Sequence, residues 1–473
     1  MNIVGRESER QLLDDILRSE RPEFLVVYGR RRVGKTYLIR EFFKDRFSFY
    51  ATGVPNTKTK EQLKVFHTHL MEYGSEEKRV PQDWLEAFGR LKELLETDTV
   101  ARNPVGKRRV IFLDELPWMD TARSDFRMAL DHFWNSYASA KSDIVLIVCG
   151  SATSWIIDNI LLDTGGLYNR VTRRMMLSPF SLSECEEMLK HSLPGITKSE
   201  VIDYYMAFGG IPFYLNMFDA RWSVAQNIDK LLFDENAPLK DEYSILFRTL
   251  FKHSERYTAL IDALSKKNIG MTRQELINST NVVGGSSLTK MLRELEQCRF
   301  IRKYKDYTQE KNGCVYQIID PFILLNIKVA NKKRISSWED FMGTPAYYAW
   351  RGNAFEILVL NHIDRIKTAL GISGVSTMEY AWRSKKADKC VQIDLIIDRK
   401  DNVINVCEMK YSDEEFVIDK RYEKELLHKC EVFRRESGTK KAVRLTLISA
   451  NGLAHNENHH IVQNEIDGQA LFM

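Results

Sequence analysis

The sequence predicts an α/β protein: a mostly parallel sheet wrapped by helices, then helical segments, then a second α/β region. Three observations carry that prediction. Apolar strands at residues 23–28, 110–113 and 144–148 alternate with longer helical stretches, as in βα units whose strands are buried on both faces. From 182 to 233 the chain reads helical, with a break at Gly209, Gly210, Ile211 and Pro212, and from 243 to 304 short helices follow closely. After Trp338 a helix gives way to strands at 391–397, 403–409 and 443–449. Boundaries near 180, 240 and 337 follow, giving segments 1–180, 181–240, 241–337 and 338–473.

Composition excludes several classes. The 473 residues carry 69 Lys and Arg against 65 Asp and Glu, a net charge of +4, with 44 % hydrophobic and 28 % charged residues. A disordered, collagen-like or coiled-coil chain would look different. The apolar run at 144–149 is far short of the ~20 residues a membrane span needs. The first ten residues include Arg6, Glu7, Glu9 and Arg10, so no apolar signal segment is expected. Seven cysteines are scattered singly without a CxxC pair, which argues against a zinc knuckle or a disulfide frame. A reduced, cytoplasmic setting without a membrane partner is expected.

The first strand runs into Gly29-Arg30-Arg31-Arg32-Val33-Gly34-Lys35-Thr36, with a helix starting near Lys35. This is GxxxxGK[ST] between strand and helix. The glycines let backbone N–H groups turn inward around phosphate oxygens, and the helix N-terminus adds positive potential. Lys35 is expected to reach the β- and γ-phosphates of ATP and Thr36 to hold Mg2+. Residues from Gly29 to Thr36, with Tyr37 beside them, are the expected nucleotide contacts.

Strand 110–113 ends in Asp114-Glu115. Asp114 is placed to bind Mg2+ through water, and Glu115 to orient the attacking water. The third strand ends in Gly150-Ser151, where Ser151 can sense the γ-phosphate or position that water, although Gly-Ser also makes a plain turn. Downstream come Leu167-Tyr168-Asn169-Arg170, then Arg173 and Arg174. Arg170 is the first choice, and Arg173 the second, for a charge-stabilising arginine acting in cis or from a neighbouring subunit; a surface ion pair is the alternative.

Val4-Gly5-Arg6-Glu7, the phosphate loop, Asp114-Glu115-Leu116-Pro117-Trp118, Gly150-Ser151 and Gly209-Gly210-Ile211-Pro212 occur in an order that resembles the archaeal-type AAA/STAND-like P-loop ATPases, relatives of the origin-recognition ATPases. The resemblance covers roughly the first 235 residues clearly. It implies that Val4, Gly5 and Arg6 lie against the adenine, and that residues 209–214 belong to a helical lid.

Charge is uneven along the chain. Between Arg248 and Asp306 stand twelve Lys and Arg against six Asp and Glu, a local +6, so the remainder sums to −2. A polyanion such as DNA is therefore expected to dock in the middle, a solvated helical face being the alternative. Thr272 and Glu275 open one helix there with a capping box. A second runs from about Ser286 to Gln297 with Leu288, Met291, Leu292 and Leu295 on one face, and residues 300–305 read as a basic strand. Helix, turn, helix, basic strand outlines a winged helix, whose second helix often enters the major groove. Ser286, Thr289, Lys290 and Arg293 are expected to face outward. A purely structural or protein-contact role stays open.

In the last segment Asp394 lies in one strand and Glu408 in the next, with residues 399–402 turning between them. A hairpin centred on Asp401 pairs residues whose numbers sum to about 802, so Asp394 and Glu408 face each other and can share a divalent ion. Glu408 and Lys410 project from the same face of their strand. Glu356, in a helix beginning near Asn353, offers a further carboxylate. The pattern resembles the PD-(D/E)XK nuclease superfamily, with Trp350-Arg351-Gly352 as lead-in, although Ile393 stands where a strict Pro is often found. By that resemblance Glu356, Asp394 and Glu408 hold Mg2+ and Lys410 is catalytic; an inactive, DNA-holding remnant is the alternative.

The expectation is an ATPase that links nucleotide state to DNA binding and Mg2+-dependent DNA cleavage, as a homo-oligomer in one version. The alternative is a nucleotide-driven signalling or assembly switch with an inactive C-terminal domain. His459 and His460 have no acidic or Cys partner at ligand spacing and read as surface. The helix around 422–435 reads as cover for the C-terminal sheet through Leu426, Cys430 and Phe433.

Overall fold

The computed structural model describes every residue except 1, 2, 98, 99, 163, 164, 168, 281, 283, 308–313, 333 and 385–390. Tyr168 of the arginine-rich stretch and one of the seven cysteines, Cys390, lie outside the described residues. The chain divides into two units, Met1–Pro179 and Phe180–Met473. The boundaries expected near 240 and 337 both fall inside the second.

The first unit is built on five strands: β1 (Glu23–Tyr28), β2 (Phe49–Thr52), β3 (Arg109–Asp114), β4 (Ile144–Gly150) and β5 (Arg173–Met176). Their spatial order is β2-β3-β4-β1-β5, and every neighbouring pair is parallel. Every residue of β3 and β4 is buried, because helices cover both faces and leave no strand side for water. One core cluster packs Phe24, Ile111 and Leu146 against Trp84, Phe88 and Phe133 of the flanking helices. β4 lies between β1 and β3, so the tips of three strands that are distant in sequence end side by side.

The second unit opens with helices Leu182–Ser192, Lys198–Phe208 and Val224–Leu232. Each starts at a capping box: Ser181 with Glu184, Thr197 with Glu200, and Ser223 with Gln226. The break predicted at Gly209 is present: the second helix stops there and a short helix, Pro212–Leu215, follows.

Next come the helix Ser254–Ser265, β6 (Met271–Thr272), the helices Arg273–Ser279 and Ser286–Gln297, β7 (Ile301–Asp306) and β8 (Cys314–Ile318). The Thr272–Glu275 capping box forms, and Leu288, Met291, Leu292 and Leu295 are buried. β8 pairs antiparallel with both β6 and β7. The hairpin partner β8 was not foreseen, since its alternation is interrupted by polar residues.

The C-terminal strands are β9 (Thr377–Arg383), β10 (Gln392–Arg399), β11 (Val403–Lys410), β12 (Ala442–Ser449) and β13 (Asn464–Asp467). They do not form a separate sheet. β7 hydrogen-bonds in parallel to β9, pairing Lys305 with Tyr380 and Asp306 with Ala381. One eight-stranded sheet therefore runs β13-β12-β11-β10-β9-β7-β8-β6. The helix carrying Glu356 starts at Pro345, earlier than expected, because Thr344 caps it. The helix Lys420–Ser437 covers the sheet as predicted, burying Leu426, Cys430 and Phe433.

Candidate functional site

The loop after β1 has the backbone its glycines require. Gly29 sits at φ +142, and a Cβ there would lie 2.3 Å from the Leu177 carbonyl oxygen. Gly34 sits at φ +90, with nothing within 4 Å of where its Cβ would be. The first glycine permits a close backbone approach. The second leaves open space at the N-terminus of the helix Lys35–Phe43, where oriented N–H groups favour an anion. Lys35 is buried, and its Nζ donates to the carbonyls of Gly29 at 3.0 Å and Arg30 at 2.9 Å. Its ammonium therefore lies folded across the loop.

Thr36 donates its hydroxyl to Asp114 Oδ2 at 2.8 Å. Burial raises the Asp114 carboxyl above its ordinary range, the Thr36 hydrogen bond lowers it, and the nearby Glu115 charge pushes it up again. Glu115 adopts φ +46, outside the strand geometry. Its carboxylate accepts from Ser151, through the hydroxyl at 2.6 Å and the backbone N–H at 3.2 Å. The hydroxyl of Thr36 and the carboxylates of Asp114 and Glu115 are hard oxygen donors of the type Mg2+ takes, and the open loop fits phosphates.

Arg6 is buried at φ +60 and donates to the carbonyls of Ser178 at 2.8 Å and Val33 at 3.4 Å. The segment Val4-Gly5-Arg6 is thereby tied to the end of the phosphate loop. Tyr37 and Arg170 are exposed, and Arg31 and Arg32 half-buried. Arg173 pairs with Glu23 at 3.9 Å, at the opposite end of β1 from the loop. The ion-pair alternative fits Arg173.

In the second unit β10 and β11 pair as Leu395 with Cys407, Ile396 with Val406, Ile397 with Asn405 and Asp398 with Ile404, all summing to 802. Continued by one residue, this register sets Asp394 opposite Glu408. Against β9, the register shifts between Ile393 and Ile396, so Asp394 falls within an irregularity of that ladder. Glu356 feels both carboxylates. Burial pushes it up to about 8, the charges of Asp394 and Glu408 add to the rise, and Lys410 and Lys429 oppose it. Asp394 is raised by burial and by Glu408, while Gln392 donates to its Oδ1 at 2.7 Å. Burial works against ionised Glu408, yet Lys429, Lys410 and Tyr422 hold its carboxyl below the ordinary range. Lys410 lies 3.2 Å from Glu408 Oε1. Three carboxylates in one buried pocket fit a hard divalent cation, although among the described residues their oxygens do not close to within 4.8 Å of one another.

Residues 3–218 match a family model described as an ATPase domain predominantly from Archaea. That match spans 216 of the 473 residues, so the likeness rests on the first part of the chain. Across a longer stretch of 330 residues, the chain is 26 % identical to an uncharacterized protein of Methanocaldococcus jannaschii, covering 68 % of this chain and 67 % of that one. Among solved structures, the Walker-type ATPase PABY2304 of Pyrococcus abyssi is 18 % identical, with TM-score 0.48 over 69 % of this chain and 96 % of that one. The ORC2 protein of Aeropyrum pernix, in ADPNP–ADP complexes, is 12 % identical, with TM-score 0.43 over 72 % and 96 %.

The matched segment contains every predicted nucleotide contact and ends well before the carboxylate pocket. That pocket holds two residues that sequence reasoning missed. Tyr422 donates to Glu408 Oε1 at 2.6 Å, and Lys429 reaches both oxygens, at 3.2 and 2.9 Å. Both stand on the helix read only as a cover, seven residues apart and so on one face. That polar pair at two-turn spacing beside the apolar stripe was the available signal. Arg351 donates to Asp413 and to the Tyr411 hydroxyl. His459, expected as plain surface, meets Glu465 at 3.1 Å, with His455 at 3.6 Å from the same oxygen; the fold of 455–465 supplies an acidic partner that linear spacing did not reveal. No described helix is long and apolar enough to cross a membrane.

Proposed function

We propose that the protein binds and hydrolyses ATP with Mg2+ in its first unit, and that nucleotide state controls a DNA-directed output in its second. The observation that carries the first half is the Thr36–Asp114 contact beside the Glu115–Ser151 contact. In this reading Lys35 leaves the loop carbonyls to hold the β- and γ-phosphates, while Thr36 and Asp114 hold the ion. Glu115, fixed by Ser151, orients the attacking water. Val4, Gly5 and Arg6 line the base, and Arg170 is the arginine offered to the phosphoryl group, in cis or to a neighbouring copy in a homo-oligomer.

For the output, residues 241–337 supply a winged helix and 338–473 a nuclease-like region. The order helix, β6, helix, helix, β7, β8 supports the former. Ser286, Thr289, Lys290 and Arg293 are all exposed on its last helix, as a helix that reads duplex DNA requires. The pocket of Glu356, Asp394, Glu408 and Lys410 supports the latter. A divalent ion held there would activate water and stabilise the leaving oxygen of a phosphodiester. Lys410 would orient the water, and Asp394 and Glu408 would hold the ion.

The test is paired. Lys35→Ala is expected to abolish ATP turnover, and Lys410→Ala to abolish Mg2+-dependent DNA cleavage while leaving ATP binding in place. Wild-type protein that cuts no duplex, branched or single-stranded substrate retires the nuclease half.

A second reading, an assembly switch with an inactive C-terminal region, draws on Glu408 being neutralised by two lysines already. It expects nucleotide-dependent oligomerisation and weak, salt-insensitive DNA binding. The first reading expects affinity that falls steeply with salt, because protein cations on the phosphates release counterions.

A further inference from the structure

The carboxylate pocket limits how many ions it can take, and the limit is set by the donors around Glu408. A carboxylate offers about four lone-pair directions, two on each oxygen. Oε1 of Glu408 accepts two hydrogen bonds, from the Tyr422 hydroxyl at 2.6 Å and Lys429 Nζ at 3.2 Å, with Lys410 Nζ in an ion pair 3.2 Å away. Oε2 faces one, Lys429 Nζ at 2.9 Å. Oε1 is therefore saturated, and Oε2 keeps a single open direction. Asp394 is also partly occupied, since Gln392 holds its Oδ1 at 2.7 Å. A carboxylate with one open direction can ligate one ion but cannot bridge two.

Charge points the same way. Asp394 and Glu408 are balanced by Lys410 and Lys429 before any ion enters. A first divalent ion leaves the pocket net positive, suited to hydroxide and a phosphodiester. A second would find only Glu356 to offset it. Lys429 is not a loose surface lysine: its helix is anchored by buried Leu426, Cys430 and Phe433, and its side chain is mostly covered.

We propose that the pocket takes one divalent cation, with Lys429 standing where a second ion would otherwise supply charge and Tyr422 fixing Glu408 for that single bond. This rests on the metal-binding reading of Glu356, Asp394 and Glu408 given above. Tyr422 and Lys429 are positioning residues, acting through Glu408.

The test is Mn2+ binding to the full-length, nucleotide-free chain, counted by electron paramagnetic resonance and titration calorimetry. Asp394→Asn assigns the ions of this pocket, and is expected to remove one per chain. Lys429→Gln is expected to raise Mn2+ affinity at least about tenfold or to admit a second ion, since it removes a cation a few ångströms away. Lys429→Arg is expected to restore the wild-type count and affinity. Should Lys429→Gln fail to fold, because buried Glu408 loses one of its two ammonium partners, Tyr422→Phe keeps both ammoniums and is expected to bind a single ion still. Loss of two ions in Asp394→Asn, a second ion in Tyr422→Phe, or a folded Lys429→Gln with unchanged count and affinity overturns the one-ion proposal alone. Loss of no ion in Asp394→Asn overturns the metal-binding reading beneath it.

Discussion

Ser151 grips Glu115 at both carboxylate oxygens, hydroxyl to Oε1 at 2.6 Å and backbone N–H to Oε2 at 3.2 Å. The two residues are 36 positions apart, and they meet because β4 lies next to β3. A carboxylate held twice is pre-aimed rather than free to sweep through rotamers.

Ser151→Ala removes only the hydroxyl contact. The kcat for ATP should fall by about tenfold or more with KM nearly unchanged, since an orienting hydrogen bond matters most in the transition state. Steady-state phosphate release checks this, and a change confined to KM would count against a catalytic Glu115.

Lys35→Ala removes the ammonium now spanning the Gly29 and Arg30 carbonyls. Turnover should drop by about 100-fold or more, as for loss of one preorganised charge donor. Nucleotide retention, measured by fluorescent-analogue binding, should weaken in parallel.

The exposed helix face at Lys290 and Arg293 gives a salt-dependent prediction. Replacing both by Ala should lower duplex affinity and flatten the slope of log K against log salt by about 0.9 for each phosphate no longer neutralised. A gel-shift series across salt concentrations reads this directly, and an unchanged slope puts the DNA elsewhere.

His362 gives a pH prediction for the second unit. Its ring is buried; Nε2 accepts from the Leu182 N–H at 3.0 Å and Nδ1 pairs with the Leu358 carbonyl at 2.8 Å. Burial pushes the imidazole down to about 4 from an ordinary 6.5, against the pull of the Leu358 hydrogen bond. The folded state therefore holds the neutral ring while the unfolded chain gains a proton below pH ~6.5. Stability is intact above that pH and falls as pH drops toward 4, by about 3 kcal/mol in all. Urea midpoints between pH 7.5 and 4 should show this loss, and His362→Gln, though weaker at pH 7.5, should show a shallower slope.

Much of this was legible in the chain because the signals were local. The phosphate loop and the Thr272–Glu275 capping box are contiguous in sequence, and the 394–408 register follows from one tight turn, where Asn402 takes φ +65. What stayed hidden depends on docking. The insertion of β4 between β1 and β3 is a choice of strand order, which no periodicity encodes. Tyr422 and Lys429 read as one side of an amphipathic helix until the helix is laid on the sheet. The β7–β9 pairing joins strands more than 70 residues apart, and among the described residues two residue pairs make it.

That short ladder has a practical consequence for anyone dissecting the protein. Expression of 338–473 as an isolated fragment strips β7 from β9 and bares Tyr380, Ala381 and the backbone groups along that margin. An unsheltered strand rim recruits other chains. Such a truncation should therefore precipitate or self-associate, whereas a fragment starting near 241 keeps the rim sheltered.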